Sequence, residues 1–243
     1  MRRHARAAAL AVAFVVGAAT SAARAAPCPV PAGADPRLGA VDGLTRLRWI
    51  DQRLDHEAGR GERWAMTWAL GIGAGGIASL APAPFVAPGD RVDWYTGAVT
   101  AVIGIVPLVV APLSVVHDAP ELRKAVKTLA PGNDAAECKL LADAEQKLAN
   151  DGANETWQRR WWSHAGNVVF NTGVLLFLGL GFHHWTSGII NGASGVVVGE
   201  ALILTQPTGA VDDDAAYRRG DVGTAADPGA APRSLGLTWR ATF

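Results

Sequence analysis

The chain has 243 residues, of which 49% are hydrophobic and 18% are charged, whereas soluble domains carry about 25% charged residues. Its formal net charge is zero, so no basic surface indicates a nucleic-acid partner. The two cysteines exclude a dense disulfide framework and a zinc site built from four thiolates.

Residues 1–25 have the three parts of a secretory signal peptide. A start with three arginines precedes an apolar stretch at 7–19, and alanines at positions 23 and 25 form an A-x-A cleavage pattern. The apolar stretch is too short to cross a bilayer, which takes about 20 residues. We therefore predict a cleaved signal peptide, with an uncleaved anchor as the alternative.

Four later stretches are long, continuously apolar and almost free of charge. Each has about 18 to 23 residues, the length that crosses a hydrocarbon core as a helix. Each also has tryptophan at or just before its start, a residue that prefers the headgroup layer. The predicted spans are about 64–81, 94–116, 164–182 and 185–205.

These features predict an all-α fold, an integral membrane four-helix bundle over residues 64–205. The preceding external tail, 26–63, carries four apolar residues spaced for one face of an amphipathic helix. We predict that the loop 117–163 forms an external helical hairpin cap. The Gly/Pro/Asp-rich segment 206–243 is predicted to be a flexible external tail, although residues 235–243 alternate like an edge strand.

Helix-start signals place the two helices of the cap. Asp118 can cap the first helix, with Pro120 near its first turn. A Pro-Gly pair ends that helix, and Asp134 with Glu137 then resembles a capping box for a second helix through about Asn150.

A cleaved signal peptide puts residue 26 outside, and four crossings return the C-terminus to the same side. Two short turns, about 82–93 and 183–184, then face the cytoplasm with Arg91 as their one basic residue. The positive-inside rule conflicts with this orientation. The signal peptide takes precedence because a translocated tail fixes the first crossing. We predict a multi-pass protein of a bacterial inner membrane with both termini on the periplasmic side.

In this topology Cys28 and Cys138 lie on the same oxidising side. A disulfide between them would tie the mature N-terminus to the central loop. Two unrelated free thiols are the alternative. A thiol-oxidoreductase role has little support because the sequence has no C-x-x-C pair.

Glycines at close spacing line one stripe in two of the predicted spans. Such spacing lets membrane helices approach closely. The run 71–76 also fits the dinucleotide-binding G-x-G-x-x-G pattern, but it follows no strand, so we reject that site. The predicted packing glycines are Gly71, Gly75, Gly188, Gly192, Gly195 and Gly199.

Glu200 is the only acidic residue within a predicted span, where an ionisable group needs a partner or a proton. His164, Asn167 and Asn171 share one face of the third span. Because the third and fourth spans run antiparallel, the depths of these residues match, and His117 ends the second span on the same side. We predict that the five residues form a polar cluster near the external face.

The cluster is compatible with three functions. We favour a structural role between helices over a proton or cation pathway or a small-solute pocket. A metal site of His117, His164 and Glu200 comes last, because no two ligands have a recognisable spacing.

The predicted function follows from this ranking and from the lack of a nucleophile elbow, Walker loop or HExxH motif. We predict a structural or accessory, non-enzymatic protein of the cell envelope with no cofactor. A small transporter or channel component that uses Glu200 is the alternative, and an envelope enzyme or metal-binding protein is third. The expected partners are the lipid bilayer and either a second copy or another envelope protein.

Overall fold

The computed structural model describes residues 28–222, which are 82% helical and contain no strand. The predicted all-α fold is confirmed for this part of the chain, while the predicted signal peptide and the alternating segment 235–243 lie outside it. Two 3-10 helices occupy Pro36–Ala40 and Pro88–Asp90. The α-helices are α1 (Gly43–Leu80), α2 (Arg91–Val110), α3 (Ser114–Thr128), α4 (Asp134–Gln158), α5 (Trp161–Phe182), α6 (Trp185–Thr205) and α7 (Gly209–Arg218).

Three helical segments are long and apolar enough to cross a membrane. The apolar half of α1, predicted as the first span, is not among them. Its four glycines, at positions 71, 73, 75 and 76, contribute no apolar side chain and lower its mean hydropathy. The three segments are Pro88–Thr128, Trp161–Phe182 and Trp185–Arg218.

The predicted tail helix and the predicted first span form one continuous helix. Asp42 caps α1 by accepting a hydrogen bond from the Thr45 backbone N–H at 3.0 Å. The helix then runs for 38 residues without a break. Its apolar residues are buried near the N-terminus, whereas beyond residue 64 large ones such as Leu70 are exposed.

The second predicted span is shorter than expected. It ends at Val110 rather than Val116, because the residue before Pro112 is driven out of the helical region. The next helix, α3, therefore begins at Ser114, four residues before the predicted cap Asp118.

The second cap helix differs from its prediction in its cap and its length. It begins at Asp134 as expected, but its N-cap is Asn133, whose side chain accepts from the Ala136 backbone N–H at 3.1 Å. It extends to Gln158 instead of ending near Asn150.

The main hydrophobic core lies at one end of the molecule. We call this end the head; it consists of residues 28–63, α3, α4 and α7. The remaining helices, residues 64–80 of α1 with α2, α5 and α6, form the stem. Leucine side chains from three head helices fill this core, so the head has an interior typical of a soluble domain. The fully buried side chains of this core include Ile50 and six leucines, Leu38, Leu47, Leu54, Leu122, Leu141 and Leu148.

A buried ionic network also holds the head together. Arg46 is fully buried, donates from Nε to the Tyr217 hydroxyl at 2.8 Å, and forms an ion pair with Glu145. Tyr217 donates to Glu145 as well, so the network joins α1, α4 and α7. Removing one partner of a buried ion pair costs about 3–5 kcal/mol, because the other charge is left uncompensated.

The segment after α6 differs from the flexible tail that we predicted. Residues 209–218 form α7, which packs on α4 and buries Ala210 and Tyr217. Two of its three acidic residues are paired, since Asp213 contacts Arg53 and Asp214 contacts Arg218, whereas Asp212 is exposed.

The predicted cysteine pair is present. Cys28 and Cys138 lie at disulfide distance, with Cα atoms 5.1 Å apart. The N-terminus of α1 packs against this pair, because a Cβ added at Gly43 would lie 2.9 Å from Cys28 Sγ. The pair therefore fixes the start of the described chain to α4.

Candidate functional site: the polar face between α5 and α6

Glycines of α6 bring its backbone close to α5. A Cβ added at Gly188 would lie 2.7 Å from the Leu175 carbonyl oxygen, and one at Gly192 would lie 2.9 Å from that of Asn171. Both distances are too short for a real side chain, so glycine is required at these crossings.

The next two glycines of the stripe make room for amide side chains. A Cβ at Gly195 would overlap the side chain of Asn171, and one at Gly199 would overlap that of Asn167. The glycine stripe and the asparagine face, which the sequence suggested separately, are therefore two halves of one packing arrangement.

The carboxyl group of Glu200 forms hydrogen bonds with two residues of α5. Its Oε2 lies 2.5 Å from His164 Nδ1, and its Oε1 accepts from Asn167 Nδ2 at 2.9 Å. Asn167 Nδ2 also donates to the Val196 carbonyl at 3.0 Å. The side chains of Glu200 and His164 are partly exposed, at 29% and 34%, so the pair lies at the edge of the helix interface.

Asn171 extends the arrangement deeper along α5. Its Nδ2 donates to the Asn167 carbonyl at 2.9 Å and to Asn167 Oδ1 at 2.8 Å. Asn171 is buried, and a buried amide is stable only when it is hydrogen-bonded.

His117 is not part of this cluster. The break after Val110 places it on α3 in the head, where its side chain is exposed. Within residues 28–222 no hydrogen bond or ion pair joins it to His164 or Glu200. The prediction that five residues gather was therefore wrong for His117, because the second span ends earlier than its hydropathy suggested.

The α1 glycines also behave differently from the prediction. Added Cβ atoms at Gly71 and Gly75 would meet nothing within 4 Å, so these two residues do not pack against a helix. The close approach of α1 to α2 is at Gly76, where a Cβ would lie 2.7 Å from the Cβ of Ala101.

Gly71 and Gly75 instead line a cavity of about 500 Å³ between the α1–α2 pair and the α5–α6 pair. Its polar lining consists of hydroxyls and amides, and Glu200 does not line it. The polar side chains of the lining are Ser79, Thr100, Asn167, Asn171, Asn191 and Ser194.

A second polar cluster lies at the opposite end of the stem. Asp93 Oδ1 lies 2.8 Å from His184 Nδ1, and Asp93 Oδ2 accepts from Ser187 Oγ at 2.7 Å. This cluster was not predicted, because the predicted second span begins at Trp94 and so leaves out Asp93. The i, i+3 spacing of His184 and Ser187 at the start of α6 was the available signal.

Buried carboxyl groups form a third cluster, in the head near the stem. Glu57, Asp151 and Glu155 are all buried, and Glu155 Oε2 accepts from the Val211 backbone N–H at 3.2 Å. Burial raises the pKa of Glu155 to about 8 and that of Asp151 to about 7. No sequence pattern indicates this burial, because Asp151 and Glu155 resemble ordinary charged residues on a helix surface.

These clusters have no arrangement typical of a metal site. Across residues 28–222 no group of three or more His, Cys, Asp or Glu side chains has suitable geometry for an ion. Comparison of the chain with protein-family models, curated proteins and solved structures found no match.

Proposed function

We propose that this chain is a multi-pass protein of the bacterial inner membrane with a structural or accessory role, not an enzyme. The observation that carries the role is that the polar groups between α5 and α6 bond to one another. Asn171 donates to Asn167, and Asn167 and His164 both contact Glu200. Hydrogen bonds between helices of this kind stabilise membrane helix pairs by about 0.6–1.7 kcal/mol.

The exposed surface of the stem supports the placement in a bilayer. Val169 and Leu180, which share one face of α5, are 71% and 62% exposed, and Val197 on α6 is 68% exposed, so no other described helix covers these side chains. A contiguous apolar surface of this kind is unfavourable in water. In this proposal residues 64–80 of α1 form a fourth crossing, and the head, with its cysteine pair, lies in the oxidising periplasm.

Cysteine labelling in intact cells tests the placement. Phe85, 88% exposed in the turn between α1 and α2, and Glu121, on the head, are each replaced by cysteine. The paired native cysteines give a low background. An impermeant maleimide should label Glu121→Cys in intact cells and Phe85→Cys only after permeabilisation. The reverse pattern contradicts the orientation, and recovery of the chain in the soluble fraction contradicts the membrane placement.

The structural role is tested by Glu200→Gln, which keeps an acceptor for Asn167, and by Asn167→Leu, which removes the bonds to Glu200 and Val196. We expect Glu200→Gln to assemble normally with little loss of stability. Asn167→Leu should lower the free energy of unfolding in detergent by about 1–2 kcal/mol. Thermal unfolding followed by tryptophan fluorescence measures both.

The cavity between the helix pairs favours one alternative, a small transporter or channel component. Its amide and hydroxyl lining can replace the hydration of a small polar solute or a cation. Flux into proteoliposomes decides between the two functions. A Glu200→Gln protein of unchanged stability that loses proton, cation or solute flux would establish transport and contradict the structural role.

A further inference from the structure

An apolar groove of about 870 Å³ runs along the outside of the stem between α2 and α5. Large side chains of both helices form its walls, and several of them are half exposed or more, including Tyr95, Val99 and Phe177. At one end the lining becomes polar, with Tyr95 and Arg91.

Arg91 has no partner for its charge within residues 28–222. Its Nε is buried and has no hydrogen-bond acceptor, and the guanidinium forms no ion pair there. A buried donor without an acceptor is costly. A guanidinium is well suited to hold a phosphate through charge-assisted hydrogen bonds.

The two acids beside Arg91 in the sequence do not neutralise it. Both oxygens of Asp93 are already bonded, one to His184 and the other to Ser187. Asp90 is exposed, and it forms no ion pair with Arg91. The positive charge at the end of the groove therefore remains available to a ligand.

The groove has the length of one lipid leaflet. Its α2 wall extends from Arg91 to Ile103, about 18 Å at the rise of an α-helix. Half of the hydrocarbon core of a bilayer is about 15 Å thick. An occupant with a charged group at Arg91 and an apolar chain along the groove would thus reach the middle of the bilayer.

We propose that this groove binds an anionic phospholipid, with its phosphate on Arg91 and an acyl chain between α2 and α5. The proposal rests on the proposed position of the chain in a bilayer. A second copy of the chain fits less well, because a symmetric pair would bring two Arg91 side chains to the same depth without adding an anion.

Native mass spectrometry of the full chain in detergent tests the site, with phosphatidylglycerol and phosphatidylcholine added in turn. We expect about a tenfold preference for phosphatidylglycerol, because both lipids present a phosphate to Arg91 but only phosphatidylcholine adds a cation, its choline, beside the guanidinium. Arg91→Gln should abolish the preference. Arg63→Gln, a matched change at an exposed arginine of the head next to the stem, should retain it.

A second variant tests the groove rather than the charge. Gly173 lines the groove, and a Cβ there would meet nothing within 4 Å, so Gly173→Leu fits the fold and fills the groove. It should lose phosphatidylglycerol while Arg91 is intact. If Arg91→Gln does not fold, Arg91→Lys replaces it and should keep a reduced preference.

Three outcomes would overturn the proposal. They are equal binding of the two lipids by the unmodified chain, full displacement of phosphatidylglycerol by inorganic phosphate, and a dimer that excludes lipid and is lost in Gly173→Leu. The second outcome would mark a site for free phosphate, and the third an interface between copies. Each can occur in a chain that labels as a membrane protein, so failure of this inference is distinguishable from failure of the proposed function.

Discussion

The head and the stem are both helical, but they place apolar and polar side chains in opposite positions. In the head, leucines are buried and charges lie mostly outside, apart from a few paired or protonated groups. In the stem, most valines and leucines are exposed, and glycines of α6 lie against asparagines and two leucines of α5. This contrast is the one expected if the stem lies in a bilayer as proposed, because water drives apolar groups inward whereas lipid leaves close packing and hydrogen bonds as the forces between helices.

The largest expected difference between the head and the stem is the loss of stability when a leucine is replaced by alanine. Leu47→Ala in the head removes a fully buried side chain and should lower the free energy of unfolding by about 2–5 kcal/mol. Leu180→Ala on the outside of α5 should change it by less than about 0.5 kcal/mol, because that side chain meets detergent or lipid in both states. Urea unfolding in detergent measures both variants. Equal losses would mean that Leu180 is covered by protein, and would contradict the contrast between the head and the stem.

Replacement of a glycine should destabilise the stem only where that glycine lies in the contact between α5 and α6. Gly195→Val places a side chain where Asn171 lies and should destabilise the α5–α6 pair by about 1–3 kcal/mol. Gly181→Val on the same pair should be nearly neutral, since a Cβ there meets nothing within 4 Å. The thermal midpoint in detergent tests this difference. Tolerance of both valines would argue against the close approach of the two helices.

A third difference is a pH dependence of the head, which acts on the whole domain through one buried carboxyl group. Burial raises the pKa of Glu155 to about 8, from 4.5, and the nearby carboxyls of Glu57 and Asp151 act in the same direction. Between these values the folded state holds a proton that the unfolded state has lost. Stability should therefore fall as the pH rises from 5 to 8, by at most about 1.4 kcal/mol per pH unit for this group.

Two substitutions on α4 isolate that effect. Glu155→Gln removes the titrating group and should flatten the pH profile of urea unfolding. Asp143→Asn changes an exposed carboxylate of the same helix and should leave the profile as it is. A profile that rises toward pH 8, or one that Glu155→Gln does not alter, would contradict the assignment.

The stem was more predictable from the sequence than the head. The predicted third and fourth spans differ from α5 and α6 by at most three residues, because long apolar runs bounded by tryptophans determine a helix locally. The antiparallel depth argument also placed Asn167 and His164 beside Glu200, since two neighbouring helices joined by a short turn leave little freedom in register.

The features of the fold that were not predicted depend on contacts between residues that are distant in sequence. Arg46 pairs with Glu145 and Tyr217, which are 99 and 171 residues away, and no local pattern indicates such a contact. The same applies to α7, whose acidic run resembles a solvated tail until Arg53 on α1 is placed beside Asp213. His117 was misplaced for a different reason: hydropathy continued past Pro112, but the helix did not.

The unbroken course of α1 has a mechanical consequence. A helix of 38 residues is about 57 Å long and belongs to both regions, so it couples them as a lever. If the stem leans by about 5°, for example in a thinner membrane, the far end of that lever moves sideways by about 5 Å. In the proposed bilayer placement, membrane thickness therefore sets the angle at which the head projects from the membrane surface.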